Sequence, residues 1–595
     1  MQTRVLTFVL ITILAVVWPA VTHAATKVVF VAGPGSHGYG AHEFRAGCLL
    51  LAGELKRSGL DLDVVVSEYG WPREKSVLDD ADAVVMMCTG DVDHLLKEHA
   101  DDFNKLSEER VGLVCIHTAT IAPKGEVGDH FLKWIGGYHE FYWSVVAHWE
   151  ARFETLPQHP ITRGVKPFTF NDEWYFHMRF RPALKGVTPI LSAHPPRDKV
   201  MKMKESRLGT NPAVKAAIAR GAIQHVAWAF DRDDGGRGFG FTGAHSHWSW
   251  ADPNYRKLVL NAILWTARAE VPSNGVATEP LTLNQLLDNQ DDNPRVGMTL
   301  DDVRKLIAVP LANDHAKPRF EARTILKWNP SHKGKRLAFL AGNRSGEYGT
   351  LESYAGSVLL GQELQRAFPQ LDVAVFAPPF SRQVYEELEK ADAVVFCTDR
   401  DRANPLSKGA RPVKELLARR PGTVVMTGSL VALPGQGQFL LDTTGVRGTA
   451  GQAVFKSRRL AFKNFPDHPV SRGLKPFEVE DGWLTPLEVD RSHTTITPIL
   501  VDGKDGTPLL WVSEKKNAQR TIGFAGGYHH FSLGNRMYRK ALLNAIAWAA
   551  GMVIPENGVN TEALSLAALK KNQNHRPLGN KDWQDVIRRF GLGNN

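Results

Sequence analysis

The chain has 595 residues, 43% of them hydrophobic and 23% charged, with a formal net charge of +9. That length is more than one hydrophobic core serves, and it fits two domains of roughly 200–250 residues with their connections. Basic residues are interspersed with acidic ones, and there is no long Lys/Arg run or nucleic-acid-binding motif, which argues against a nucleic-acid partner.

In chain order, Arg4 precedes an apolar run, Val5 to Ala20, and Thr22-His23-Ala24 offers small residues around a cleavage point after Ala24. The run is shorter than the roughly 20 residues a membrane-spanning helix needs. Residues 1–24 therefore read as an export leader, and the mature protein is expected to be soluble, periplasmic or extracellular, with no stable membrane insertion once the leader is removed. Lys27 to Ala32 is a short β-branched run that ends in a glycine-rich turn, GPGSHGYGAHE (Gly33 to Glu43). Helical spacing follows over Ala46 to Ser58, with Leu49, Leu50 and Leu55 on one face. Leu62 to Val66, Ala83 to Cys88 and Val111 to Ile116 are further short apolar runs separated by helical segments. Such runs are the pattern of parallel strands buried on both faces, and they predict an α/β fold with doubly wound, mostly parallel sheets. In that fold ligands sit beyond the carboxyl ends of the strands. The glycine-rich turn lacks both GxGxxG spacing and the Lys-Ser/Thr of a phosphate-binding loop, so it is not read as a nucleotide site. Cys48, Cys88, Cys115 and Cys397 form no CxxC pair and lie in apolar segments; they read as small buried hydrophobes, with a Cys88–Cys115 bridge open but not indicated.

An aromatic-rich stretch follows, then a strand over Gly238 to Thr242, the segment GAHSHW (Gly243 to Trp248) and a closing helix, Asn254 to Ala267. A tail and a polar linker, Ala312 to Lys335, lead into a second passage through the same motifs. KVVFVAGPGSHGYGAHEFRAG (27–47) returns as RLAFLAGNRSGEYGTLESYAG (336–356), HPITRGVKPFTFNDEWY (159–175) as HPVSRGLKPFEVEDGWL (468–484), and the closing helix as Asn535 to Ala549. The expected organisation is a leader 1–24, a first domain 25–270, a tail and linker 271–335, a second domain 336–551 and a C-terminal tail 552–595, the two domains being copies of one unit.

The second copy serves as an internal control. Tyr39, Gly40 and Glu43 persist as Tyr348, Gly349 and Glu352, whereas His37 and His42 become Gly346 and Leu351. His117, at the corner after a strand, becomes Thr427; Glu173, Tyr175 and His177 become Gly482, Leu484 and Pro486; His245 becomes Tyr528; His139 stands opposite Gly448. Asp172, Trp174 and His247 are kept as Asp481, Trp483 and His530 and read as structural, although Trp174 also enters the aromatic set below. Residues 25–270 hold 14 histidines and residues 335–550 hold 4, so one copy has imidazoles at its strand ends and the other does not. Imidazole at a strand-to-helix corner suits a general base, a hydrogen-bond donor or a metal ligand. An amidotransferase-like hydrolase is disfavoured, because that corner holds His117 and not Cys.

The combination of GxxSHGYxxH, a strand ending in H-T-A, GGYHEF, HPI followed by F and DE-Y, and G-H before a closing helix resembles the trehalose-utilisation (ThuA-like) family over residues 26–270, and more weakly over 335–550. The resemblance implies a fold similar to class I glutamine amidotransferases and flavodoxins and a role in carbohydrate catabolism, acting on a keto-sugar or 3-keto-glycoside. Carried onto this sequence, it implies a polar site of His37, His42, His117, Glu173 and His245, with the second copy degenerate. The site expected from residues and resemblance together has His117, Glu173, His245 and His37 as catalytic groups, and His42, Tyr39, His139, Tyr175 and Trp174 contacting the sugar. Tyr138 and Trp248 are further aromatics able to stack on a sugar face. No cofactor is assigned with certainty, but His37, His117 and His245 are a candidate site for Zn²⁺ or a similar divalent ion. A ketone acidifies its neighbouring C–H bonds, so proton abstraction leading to isomerisation or cleavage is the expected chemistry. The alternative is a non-catalytic carbohydrate-binding or scaffold protein using the same pocket.

Overall fold

The computed structural model describes residues 25–592 apart from 308, 319, 321–322, 343–346, 379, 399–405, 407–410, 420–421, 433–436, 491–495, 515–518 and 578–581. The leader 1–24 and Gly346, the counterpart of His37, lie outside the described residues. The described residues form two compact units, the first drawn from residues 25–34, 47–245 and 252–279, the second from residues 35–46, 246–251 and 280–592.

The first unit is built on β1 (Thr26–Ala32), β2 (Leu62–Ser67), β3 (Ala83–Met87), β4 (Gly112–Ile116), β5 (Val145–Phe153), β6 (Phe168–Phe176), β7 (Val187–Ala193), β8 (Gln224–Asp231) and β9 (Arg237–Phe241). Seven of these form one sheet in the order β2-β1-β3-β4-β9-β8-β7. The first five in that order pair parallel, with Val28 opposite both Val64 and Ala83, and Phe241 opposite Ile116. β8 and β7 continue antiparallel. β3 and β4 are buried along their whole length, as continuous apolar runs require when both faces are covered. Predicted and observed elements agree to within about two residues, the usual uncertainty of element ends; α1, for example, covers Phe44–Arg57. The β5–β6 hairpin is not evident from the sequence pattern.

α2 (Pro253–Thr266) closes the first unit, with Asp252 capping it through Asn254 N and Tyr255 N and Pro253 in its first turn. From this helix Asn261 donates to the carbonyls of Ile161 (3.0 Å) and Arg163 (2.9 Å) and accepts from Val276 N (2.8 Å). Gly164, at φ +68°, lies so close to Asn274 O that a Cβ would stand 1.9 Å from it. These contacts explain the HPITRG motif, residues 159–164, and the Asn274-Gly275-Val276 sequence that follows α2. Asn544 repeats the first set in the second unit, bonding Val470 O, Arg472 O and Val559 N.

The second unit contains β10 (Lys335–Ala341), β11 (Leu371–Phe376), β12 (Ala393–Cys397), β13 (Gly422–Met426), β14 (Val454–Phe462), β15 (Phe477–Thr485), β16 (Ile496–Val501), β17 (Pro508–Glu514) and β18 (Arg520–Phe524). Its sheet runs β11-β10-β12-β13-β18-β17-β16, the same order as the first. The helices used below are α3 (Ser353–Ala367) and α4 (Arg382–Leu388). Glu43 and Glu352, kept in both passages, are architectural. Glu43 accepts from Gly40 N (3.1 Å) and Asp291 N (2.8 Å), and Glu352 from Gly349 N and Asn574 N. Burial raises these carboxyls to about 8 and about 7. The tail segments that reach them pair with each other through an antiparallel bridge, Asp292 to His575. The expected linker is docked where it is described: Leu326 O accepts from Val375 N (3.1 Å), and Thr324 O accepts from the Tyr354 hydroxyl (2.7 Å).

All four cysteines are free thiols, so the Cys88–Cys115 bridge left open above is not formed. No helix among the described residues is long and apolar enough to cross a membrane.

Candidate active site

In the first unit the ends of β4 and β9 and the middle of β6 bring three chemical groups together. His117 follows β4 directly, in the left-handed region at φ +56°, and is 0% exposed. A side chain forced into that region at a buried corner is positioned by its surroundings, at an energetic cost of order 1–3 kcal/mol. Thr427 takes the same conformation, φ +55°, in the second unit, so the strained corner belongs to the fold and the imidazole to the first unit alone. The His117 Nδ1 lies 2.9 Å from Thr242 O, just beyond β9. A carbonyl can only accept, so Nδ1 carries the proton and Nε2 presents its lone pair.

That lone pair faces the Tyr175 hydroxyl at 3.0 Å and Glu173 Oε2 at 3.6 Å. Glu173 and Tyr175 stand two residues apart on β6 and so project from one face. Glu173 also meets His245 Nδ1 at 3.2 Å and His148 Nε2 at 3.5 Å. Asp172 holds this arrangement: its Oδ1 accepts from Glu173 N (2.8 Å), its Oδ2 from Ala244 N (2.8 Å) and the Tyr255 hydroxyl (2.7 Å). Asp481 makes the corresponding bonds to Gly482 N, Gly527 N, His529 N and Tyr538 in the second unit, as expected of a structural residue.

The electrostatics separate the roles. Burial holds His117 down at about 4, against the pull of the Glu173 carboxylate, so it is neutral at pH 7. Burial alone would raise Glu173, but the hydrogen bond from His245 and the neighbouring imidazoles bring it down to about 2. Burial would lower His245, and Glu173 outweighs it and raises His245 above the ordinary range. The site therefore sets a neutral imidazole, His117, beside a carboxylate, Glu173, that favours protonation of His245. The ligand-capable atoms of His117, Glu173 and His245 also lie within 4.8 Å of one another, and two imidazoles with a carboxylate are a donor set suited to Zn²⁺ or a similar ion.

Several other expected residues are core. His139 packs its ring against Tyr175 at 5.1 Å and is fully buried, with neither ring nitrogen hydrogen-bonded among the described residues; burial lowers it to about 3. Trp174, expected to contact sugar, is 0% exposed and packs on Phe153, Phe241 and Tyr255, so its indole is core. Tyr138 and Trp248 are likewise buried, which corrects their expected stacking role. His37, His42 and Tyr39 belong to segment 35–46 of the second unit. There His37 is exposed with its ring 3.7 Å from that of His42, and His42 is buried with Nδ1 2.7 Å from Ser36 Oγ. His117 and His245, two of the three expected metal ligands, are grouped with Glu173, and His37 is not in that group. His247 is buried, like His530, whose Nε2 meets Leu569 O at 2.9 Å. His148 was missed. Its signal is its position opposite Glu173 on the hairpin, where the second unit has Ser457 opposite Gly482, but the pairing could not be aligned without the strands.

In the second unit the corresponding space is filled. A Cβ on Gly482 would stand 2.6 Å from Tyr528, the residue opposite His245, and Tyr528 packs on Phe455.

Residues 27–266 match the model of the ThuA family, described as trehalose utilisation. A search of curated proteins finds no match. Among solved structures the chain is similar to a ThuA-like protein from Bacteroides uniformis, at 18% identity and TM-score 0.31, over 42% of this chain and 95% of that one. A ThuA-like protein from Parabacteroides merdae aligns at 15% identity and TM-score 0.29, over 40% of this chain and 99% of that one.

Proposed function

We propose that the first unit is an enzyme of carbohydrate catabolism, exported by the leader 1–24, that abstracts a proton next to the ketone of a keto-sugar or 3-keto-glycoside. What carries the reading is the buried group of His117, Glu173 and His245, with a neutral imidazole lone pair beside a carboxylate that favours protonation of His245. Simple sugar binding needs no such titrating set, and the family description points to sugars.

In this reading His117 Nε2 takes the proton from the carbon adjacent to the ketone. The C–H pair becomes the C=C bond of an enolate, and the negative charge collects on the former ketone oxygen. The imidazolium of His245, held by Glu173, donates to that oxygen and stabilises it. Departure of the C1 substituent with its C–O pair then gives cleavage, and return of the proton to another carbon gives an isomer. His117, Glu173 and a neutral His245 could instead hold a divalent ion, which would supply Lewis-acid stabilisation of the same oxygen in place of the imidazolium; His117, its Nε2 lone pair then committed, would not be the base. The second unit, with Thr427, Gly482 and Tyr528 at these positions, is proposed to be inactive.

The test is NMR of the purified protein with a 3-keto-glucoside beside His117→Ala. Conversion by the wild type and not by the variant supports the assignment. Conversion persisting in the variant removes His117 from its role, and line broadening of the sugar without conversion favours a binding protein.

A further inference from the structure

The second unit contains a cavity of about 810 Å³ that the chemistry above does not use. It opens where β10 and β11 end, bounded by Gly342 and by Ala374 to Pro378, with α4 on one side and the docked connector 323–328 on the other. This is the carboxyl-end position at which open α/β sheets bind ligands, and the volume is in the range of small-molecule sites.

Its walls combine rings with hydrogen-bonding groups. Trp328 and Phe376 meet edge to face, with centroids 5.7 Å apart, and the Arg323 guanidinium carbon lies 4.8 Å from the centre of the Tyr354 ring. Two buried donors that line the cavity have no partner among the described residues: the Tyr39 hydroxyl, on a residue only 6% exposed, and Arg323 Nε. The other end of Arg323 is committed, its Nη2 donating to Gln573 O (3.0 Å) and Asn574 Oδ1 (2.7 Å), so the guanidinium is fixed. Orphaned buried donors are costly, and they call for acceptor oxygens.

The charge pattern selects among oxygen-bearing ligands. Asp292 and Glu387 line the same cavity as Arg295, Arg323 and Lys327. A phosphate would face two carboxylates, whereas a neutral polyol can donate to them and accept from Tyr39 and Arg323. Aromatic walls beside planar polar side chains suit the alternating C–H face and hydroxyl rim of a pyranose ring. We infer that this cavity is a second small-molecule site and that its ligand is a neutral mono- or disaccharide, bound without conversion.

The inference stands apart from the proposed reaction, and its test keeps the two separate. Methyl α-glucoside, α,α-trehalose and, for contrast, inorganic phosphate are titrated into the full chain by calorimetry, with saturation-transfer NMR to see weak binding. The variants are Trp328→Ala, Val384→Trp, which fills the cavity from the side of α4, and His117→Ala. The expected result is saturable binding of a sugar near about 1 mM, unchanged in His117→Ala and weakened about tenfold or more in Val384→Trp and Trp328→Ala. Sugar binding lost in His117→Ala but kept in Val384→Trp would place the sugar in the first unit only and overturn the inference. So would phosphate binding that the cavity variants abolish while no sugar binds, or the absence of saturable binding by either sugar.

Discussion

Replacing Glu173 by Gln keeps the shape of the side chain and removes its charge. The carboxyl lies at about 2 against an ordinary 4.5, although burial opposes ionisation. The difference, 4.5 − 2, corresponds to about 3 kcal/mol favouring the charged form, and the side chain is only 15% exposed, so little of it is screened. That interaction is shared with His245, His117 and His148. In Glu173→Gln the main support that raises His245 is gone, and burial is then opposed only by the weaker pull of Asp172. His245 is expected to titrate at lower pH than in the wild type and to be less protonated at pH 7. If the imidazolium is the group that stabilises the enolate, kcat/KM falls by about 10²–10³, the rate equivalent of about 3 kcal/mol. The assay pairs turnover of a 3-keto-glucoside with a histidine NMR titration. Activity within threefold of the wild type, or a His245 midpoint that does not move down, would refute the reasoning.

The buried histidine gives a pH signature in stability. His117 lies at about 4 in the folded chain and near 6.5 when unfolded, so between those values the unfolded chain binds the proton and the folded one does not. Its contribution is complete above about pH 6.5 and is lost as pH falls toward 4; denaturant unfolding of His117→Gln should show a shallower decline across that window. Glu173 adds stability that is complete above about pH 4.5 and lost as pH falls toward 2, visible as a flatter acid limb in Glu173→Gln. In the second unit, Gly482→Ala places a Cβ 2.6 Å from Tyr528 and should destabilise by about 1–3 kcal/mol. Because the nearest atoms are Tyr528 Cβ, Cγ and Cδ1, most of that loss should be recovered in a Tyr528→Gly background, read by thermal unfolding of the single and double variants. If the first unit holds a divalent ion, metal-free protein titrated with Zn²⁺ should bind it in a manner that Glu173→Gln and His245→Ala both weaken; equal affinity in all three proteins excludes these residues as ligands.

The sheet was legible because β1, β3 and β4 are uninterrupted apolar runs and no other element accounts for them as well. The polar group was legible because the second unit lacks it: His117, Glu173, Tyr175 and His245 face each other in space, and each is changed in its counterpart. What the comparison could not show was depth. Trp174 and Tyr138 carry the same letters as sugar-stacking residues, and only their packing reveals them as core. His148 was hidden because its meaning lies in cross-strand pairing with Glu173, a relation that exists only once the hairpin register is known. The connector was unreadable for a related reason. A polar, proline-containing stretch reads as a loop, and its docking against β11 depends on an edge strand some 50 residues further along.

The central claim is that His117 removes a proton next to a ketone, and isotope exchange reads that step without requiring any later one. A 3-keto-glucoside incubated with the protein in D₂O should take up deuterium at the carbon adjacent to the ketone, faster than in buffer alone and faster than with His117→Ala. Deuterium entering at the uncatalysed rate, across a range of keto-glycosides that the protein demonstrably binds, would contradict the account.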